Sequence, residues 1–150
     1  MKFIQLFYTL ILLTLFTTSN SLASCPKAIF GKNNPINLEV AATPKAIMEG
    51  LMYRTSLAPD SGMIFLFNPP QKVKFWMYHT LIPLDMIFIY NQKVVKISAN
   101  VPPCKSEVTS DCPTYPSGDG IMVNEVIEVN ANYCKDHNVK VGDTVTYKSP

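Results

Sequence analysis

Apolar and polar positions along this chain exchange over short distances, and the period changes several times. Residues 36–40 alternate, the spacing of a half-buried strand. Thr43-Pro44 then reads as a helix start, with Thr43 as N-cap and Pro44 at the first helical position. Ala46, Ile47, Leu51 and Met52 follow at helical spacing, and Gly50 and Tyr53-Arg54 lie near the end of this short helix. From Gly62 the pattern becomes strands. Residues 63–67 form one apolar run, Asn68-Pro69-Pro70 turns the chain, and Val73, Phe75 and Met77 alternate with Lys72, Lys74 and Trp76. Residues 84–90 and 93–99 read as a hairpin around Asn91-Gln92. Residues 102–120 form a long Pro/Ser/Asp/Gly loop, of a length that in compact domains tends to carry function. Residues 121–129 are another strand, 131–137 a short helix, and 141–147 a closing strand. Many short strands with turns between them predict a mainly β fold, a compact antiparallel sandwich or barrel with two short helices. The single β-rich domain spans residues 36–150, and the Gly/Asn/Pro-bearing residues 25–35 read as an irregular leader onto it.

The start of the chain follows another rule. Met1-Lys2 is a short basic beginning, residues 3–16 are predominantly apolar, and residues 17–24 are small and polar. That order is the one of a secretory signal peptide, and the apolar run is short of the roughly 20 residues a membrane span needs. Small residues at Ser21 and Ala23 suit an ordinary cleavage after Ala23. Leu22-Ala23-Ser24-Cys25 also resembles a lipobox, in which Cys25 would be lipidated and anchor the chain. Both routes place the protein outside the cytoplasm, in the periplasm or cell envelope. Membrane association is expected only through a lipid on Cys25.

Length and charge narrow the function classes. The 150 residues suit one domain. A net charge of +2, from 13 basic and 11 acidic side chains, lacks the clustered Lys and Arg of a nucleic-acid surface. Export makes disulfides the default for the four cysteines. Cys104 and Cys112 flank one polar loop and are expected to pair, closing it at a gain of roughly 2–3 kcal/mol. The absence of Cys-x-x-Cys argues against a metal site and against a redox motif. Cys25 and Cys134 remain open: they pair if Cys25 is not lipidated, and Cys134 is a lone thiol if it is. No cofactor is implied. Gly-x-Ser-x-Gly, Gly-x-Gly-x-x-Gly, a phosphate loop and His-Glu-x-x-His are all missing.

Five side chains can still carry chemistry. Arg54 is the only arginine, and its guanidinium grips a carboxylate or phosphate in two prongs, or else an internal acid such as Asp85 or Glu125. Asp85 sits at the mouth of an apolar strand, where a carboxylate is either paired or perturbed. His79 just precedes it and titrates near neutral pH. Trp76, the one tryptophan, and Tyr115 in the long loop would supply an aromatic wall.

Several ordered motifs resemble the prokaryotic family catalogued as domain of unknown function 192. They are Gly50-Leu51-Met52-Tyr53-Arg54, Gly62-Met63-Ile64-Phe65, and the phrase from Phe75-Trp76-Met77 through Pro83-Leu84-Asp85. Val101-Pro102-Pro103-Cys104, Cys112-Pro113-Thr114-Tyr115 and Val129-Asn130-Ala131 complete the set, and the likeness covers about residues 36–147. The resemblance implies a small, mostly β, jelly-roll-like domain, and it implies no activity. His79 stands where the family's phrase usually has Asn, so any role for it is peculiar to this chain, and Cys134 stands where the family commonly has a small apolar residue, which argues against a family-type second disulfide.

Three functions follow, in order of preference. The first is a non-catalytic module that binds a small ligand or envelope component through Arg54, Trp76, Asp85 and Tyr115. The second is an assembly factor docking through an apolar patch. The third is a hydrolase with Asp85 as base and His79 or Tyr115 assisting.

Overall fold

The structure is a computed structural model that describes residues 25–33 and 35–149. The expected signal segment, residues 1–24, lies outside the described residues. The elements are β1 (Lys27–Phe30), β2 (Ile36–Ala41), α1 (Pro44–Glu49), β3 (Ser61–Gln71), β4 (Lys74–Trp76), β5 (Leu84–Tyr90), β6 (Lys93–Val101), β7 (Thr114–Pro116), β8 (Val123–Asn130), α2 (Tyr133–Asp136) and β9 (Val145–Lys148). Seven strands form one curled sheet in the order β6-β5-β8-β3-β2-β1-β9, and β4 and β7 form a separate ribbon. The mainly β expectation with two short helices describes this architecture, a half-barrel with a small second sheet.

Local chemistry explains most element boundaries. Thr43 Oγ1 accepts from the Ala46 amide at 3.2 Å and Pro44 opens α1, which is the cap the sequence predicts. Gly50 ends α1 at φ 47° with a Cβ position only 3.2 Å from the Phe65 ring, so a side chain there would strain both the backbone and the packing. The β5–β6 hairpin turns on Asn91 and Gln92, both at positive φ, as a two-residue primed turn requires.

Several features depart from the sequence reading, and one is β7, which forms inside the expected loop 102–120 by pairing with β4. Residues 27–30, placed in the irregular leader, form β1, because Ala28 and Phe30 bury one face between β2 and β9. β3 runs through Asn68-Pro69-Pro70 where a turn was expected; the irregularity is taken up as a register shift against β8 between Leu66 and Gln71. The ladder is not wholly antiparallel. β2 and β3 pair in parallel, and α1 lies in the crossover that such a pair needs.

Both faces of the sheet are covered. Ile64, Ile87, Ile89, Ile127 and Val129 pack on one face with Phe30, Leu38 and the α2 residues Tyr133 and Cys134. Met63, Phe65, Met86, Phe88 and Val126 pack on the other, beneath Leu51, Met77 and the β4–β7 ribbon. Two-sided burial is why β5 reads as an almost unbroken apolar run. Among the described residues no helix is long and apolar enough to cross a membrane.

Candidate functional site

Between α1, the end of β3 and β4 the second core face opens into a cavity of about 340 Å³. Its walls are Phe65, Phe67 and Phe75, with Trp76, Thr80 and the exposed Lys72 and Lys74 also lining it. Phe75 stands edge-on to Phe65 at 4.9 Å and to Phe88 at 6.1 Å, which fixes the wall.

Of the charged groups that line this enclosure, one is buried. Glu128 on β8 faces the same side of the sheet as Val126, between Met63 of β3 and Met86 of β5. It is 4% exposed, and among the described residues no donor or cation meets its carboxyl. Burial alone pushes its pKa up to about 8, so the group stays protonated at neutral pH. A neutral carboxyl both donates and accepts a hydrogen bond, and it ionises when a cation arrives.

Of the residues singled out from sequence, Trp76 alone lines this cavity. Arg54 lies apart from it and grips Glu39 of β2 through two bonds of 2.6 Å each. That hydrogen bonding lowers the Glu39 pKa and raises that of Arg54. The expected acid partners, Asp85 and Glu125, are elsewhere. Asp85 is fully buried on the opposite face. Its Oδ1 accepts from the Asn100 amide at 2.8 Å and the Asn132 amide at 3.2 Å, and its Oδ2 from the Cys134 amide at 2.9 Å. Both oxygens therefore serve the main chain. His79 stacks on Tyr53 at 4.9 Å and lies tilted against Tyr78 at 3.8 Å, and it is not among the groups bonded to Asp85. Tyr115 pairs with Phe75 across the β4–β7 ribbon and packs into the core. The structure thus does not gather Arg54, Trp76, Asp85 and Tyr115 at one place.

The cysteines fall as follows. Cys104 and Cys112 are bonded. Cys25 is exposed and free, and Cys134 is buried and free, so the open pairing between them is not made. Burial pushes the Cys134 thiol up, and the Asp85 charge adds to it. Among the described residues no cluster of three or more His, Cys, Asp or Glu is placed to hold a metal.

Sequence reasoning missed Glu128, yet a signal was present. Glu125 and Glu128 are three residues apart in a strand, and positions three apart point to opposite faces. With both faces of the sheet covered, neither carboxyl reaches open solvent easily. Glu125 is met by the Tyr147 hydroxyl, which donates to its Oε2. Glu128 is left to the cavity.

No functionally curated protein matches this chain. Two solved structures resemble it with a TM-score of 0.71 each. One is a protein of unknown function from Novosphingobium aromaticivorans DSM 12444, 32% identical, with 80% of this chain and 83% of that one covered. The other is a protein from Sinorhizobium meliloti 1021 described as a "putative transcription regulator", 31% identical, with 84% of this chain and 96% of that one covered. The profile of DUF192 (Uncharacterized ACR, COG1430) matches residues 27–147, and the chain belongs to that family.

Proposed function

We propose that this protein is an exported module of the cell envelope that binds a small, largely apolar ligand without transforming it. The observation that carries the reading is the aromatic cavity with a single partnerless carboxyl, Glu128, against it. Its volume is at the small end of ligand sites, and it joins a wall of Phe65, Phe67, Phe75 and Trp76 to a polar side formed by Glu49, Gln71, Lys72, Lys74, Thr80 and Glu128, the mixture a small-molecule pocket needs. A hydrolase reading on Asp85 finds no support, because its carboxylate is enclosed by three main-chain amides. Export rests on the order of residues 1–24 and agrees with a disulfide in the domain.

Trp76 is the only tryptophan and lines the cavity, so its fluorescence reports entry directly. The oxidised domain from Pro26 onward would be titrated with a panel of small envelope-derived and aromatic molecules, with thermal shift as a second readout. A ligand at about 100 times its dissociation constant adds roughly 2.7 kcal/mol. The expected result is a saturable change in Trp76 emission, with the thermal shift weakened in Trp76→Ala and unchanged in Arg54→Ala. Silence from both readouts across the panel overturns the binding reading.

A further inference from the structure

The polar end of the ligand can be read from what surrounds Glu128. Its neighbours across the ladder, Met63 on β3 and Met86 on β5, are apolar, so the sheet supplies it with no partner. The charged groups on the elements around the cavity are Glu49 of α1, Lys72 after β3 and Lys74 on β4. Glu49 is already paired with Lys45 at 2.7 Å. Lys72 and Lys74 are exposed, and burial is the sole influence on Glu128, so neither lysine neutralises it. The vacant partner of a carboxylate in such an enclosure is a cation, because an isolated buried charge is costly and a paired one is not. The aromatic walls point the same way, since ring faces attract ammonium groups. An anionic head would meet the Glu128 charge, and a neutral head gains from this carboxyl nothing that an amide would not give.

We propose that the cavity binds a small organic amine, with its ammonium group on Glu128 and its apolar body between Phe65, Phe75 and Trp76. This rests on the binding reading above and specifies its ligand class. The amine competes with a proton for the carboxylate, so binding releases a proton whenever Glu128 begins protonated. The exposed lysines favour a ligand whose other end is neutral or acidic.

Three probes of one shape separate the alternatives: phenethylamine, phenethyl alcohol and phenylacetate. Each would be titrated against the wild-type domain and Glu128→Gln by Trp76 fluorescence and calorimetry at pH 6, 7 and 8. The expected order in the wild type at pH 8 is amine, then alcohol, then acid, with about tenfold or more between the first two. Amine affinity should fall by up to about tenfold per pH unit below pH 8, with proton release, while alcohol affinity stays flat. Glu128→Gln should erase both the preference and the pH dependence. An alcohol that matches the amine in the wild type, or a Gln variant that keeps the preference, overturns the amine assignment and leaves the cavity a binding site for neutral molecules. If none of the three binds while a neutral member of the wider panel does, the amine assignment falls alone. If the panel is silent as well, both readings fall.

Discussion

Glu128 costs the fold stability that an uncharged residue would not. Its unfolded carboxyl titrates near 4.5 and its folded one near 8, so between those values the folded state holds a proton that the unfolded state has lost. Stability is then fully present below pH 4.5 and declines as pH rises toward 8, at up to about 1.4 kcal/mol per unit. This is opposite to the behaviour of a salt-bridged carboxylate. Urea denaturation at pH 5, 7 and 8 should show wild type and Glu128→Gln close together at pH 5 and the variant more stable by an increasing margin at 7 and 8. Glu125, also raised by burial, retains a residual slope in both proteins. An equal gap at every pH would mean that Glu128 is ionised in the fold. A destabilising acid against the cavity is what the proposed ligand role of Glu128 would explain.

Asp85 is the opposite case, a buried carboxylate that the fold itself uses. It joins β5 to the Asn100 amide near the end of β6 and to two amides at the start of α2, where Asn132 has a left-handed backbone at φ 70°. Removing it leaves three amide donors without their acceptor, at about 1–3 kcal/mol for each buried donor left unmet. Asp85→Ala is expected to lose about 3 kcal/mol or more in chemical denaturation, while Asp85→Asn, which keeps one acceptor oxygen, loses less. A loss below 1 kcal/mol in Asp85→Ala would show that water or a shifted main chain takes over. From sequence, an acid inside the run Leu84-Asp85-Met86 announces burial but not its purpose, because all three donors are amides with no side-chain signature. The same limit governs the elements. The α1 cap and the β5–β6 turn are legible because Thr43, Pro44, Asn91 and Gln92 act through their own side chains or backbone preferences. β1 is hidden because its four residues become a strand only through β2 and β9, which arrive from distant parts of the chain. Trp76 was legible as a wall and Glu128 was not, since a glutamate in a strand looks solvated until the other face is known to be covered.

At the scale of the molecule, the disulfide, the cavity and the proposed compartment belong to one argument. Cys104 and Cys112 close the loop that leads into β7, and β7 pairs with β4, which carries Trp76 and Lys74. The loop also rests on the segment after β4: the Cys104 amide donates to the Met77 carbonyl at 3.3 Å and the Tyr78 hydroxyl to the Glu107 carbonyl at 3.3 Å. The bridge therefore holds the β4–β7 ribbon, and with it one wall of the cavity. With a sequence separation of 8, its loss should cost about 2–3 kcal/mol in the chain-entropy account. The full chain, whose residues 1–24 carry the proposed export signal, would be expressed in a bacterial host alongside a form beginning at Pro26 that stays in the reducing cytoplasm. The exported product should carry the bridge. The cytoplasmic one should show both thiols, denature at lower urea by that margin, and bind any cavity ligand more weakly until it is oxidised. Cys104→Ser with Cys112→Ser should reproduce the reduced protein in either compartment, and reducing agent should leave that variant unchanged. Equal thiol counts in the two products would break the link between export and the bridge, whereas a reduced protein that binds as tightly as the oxidised one would show that the ribbon holds its cavity wall without the bridge.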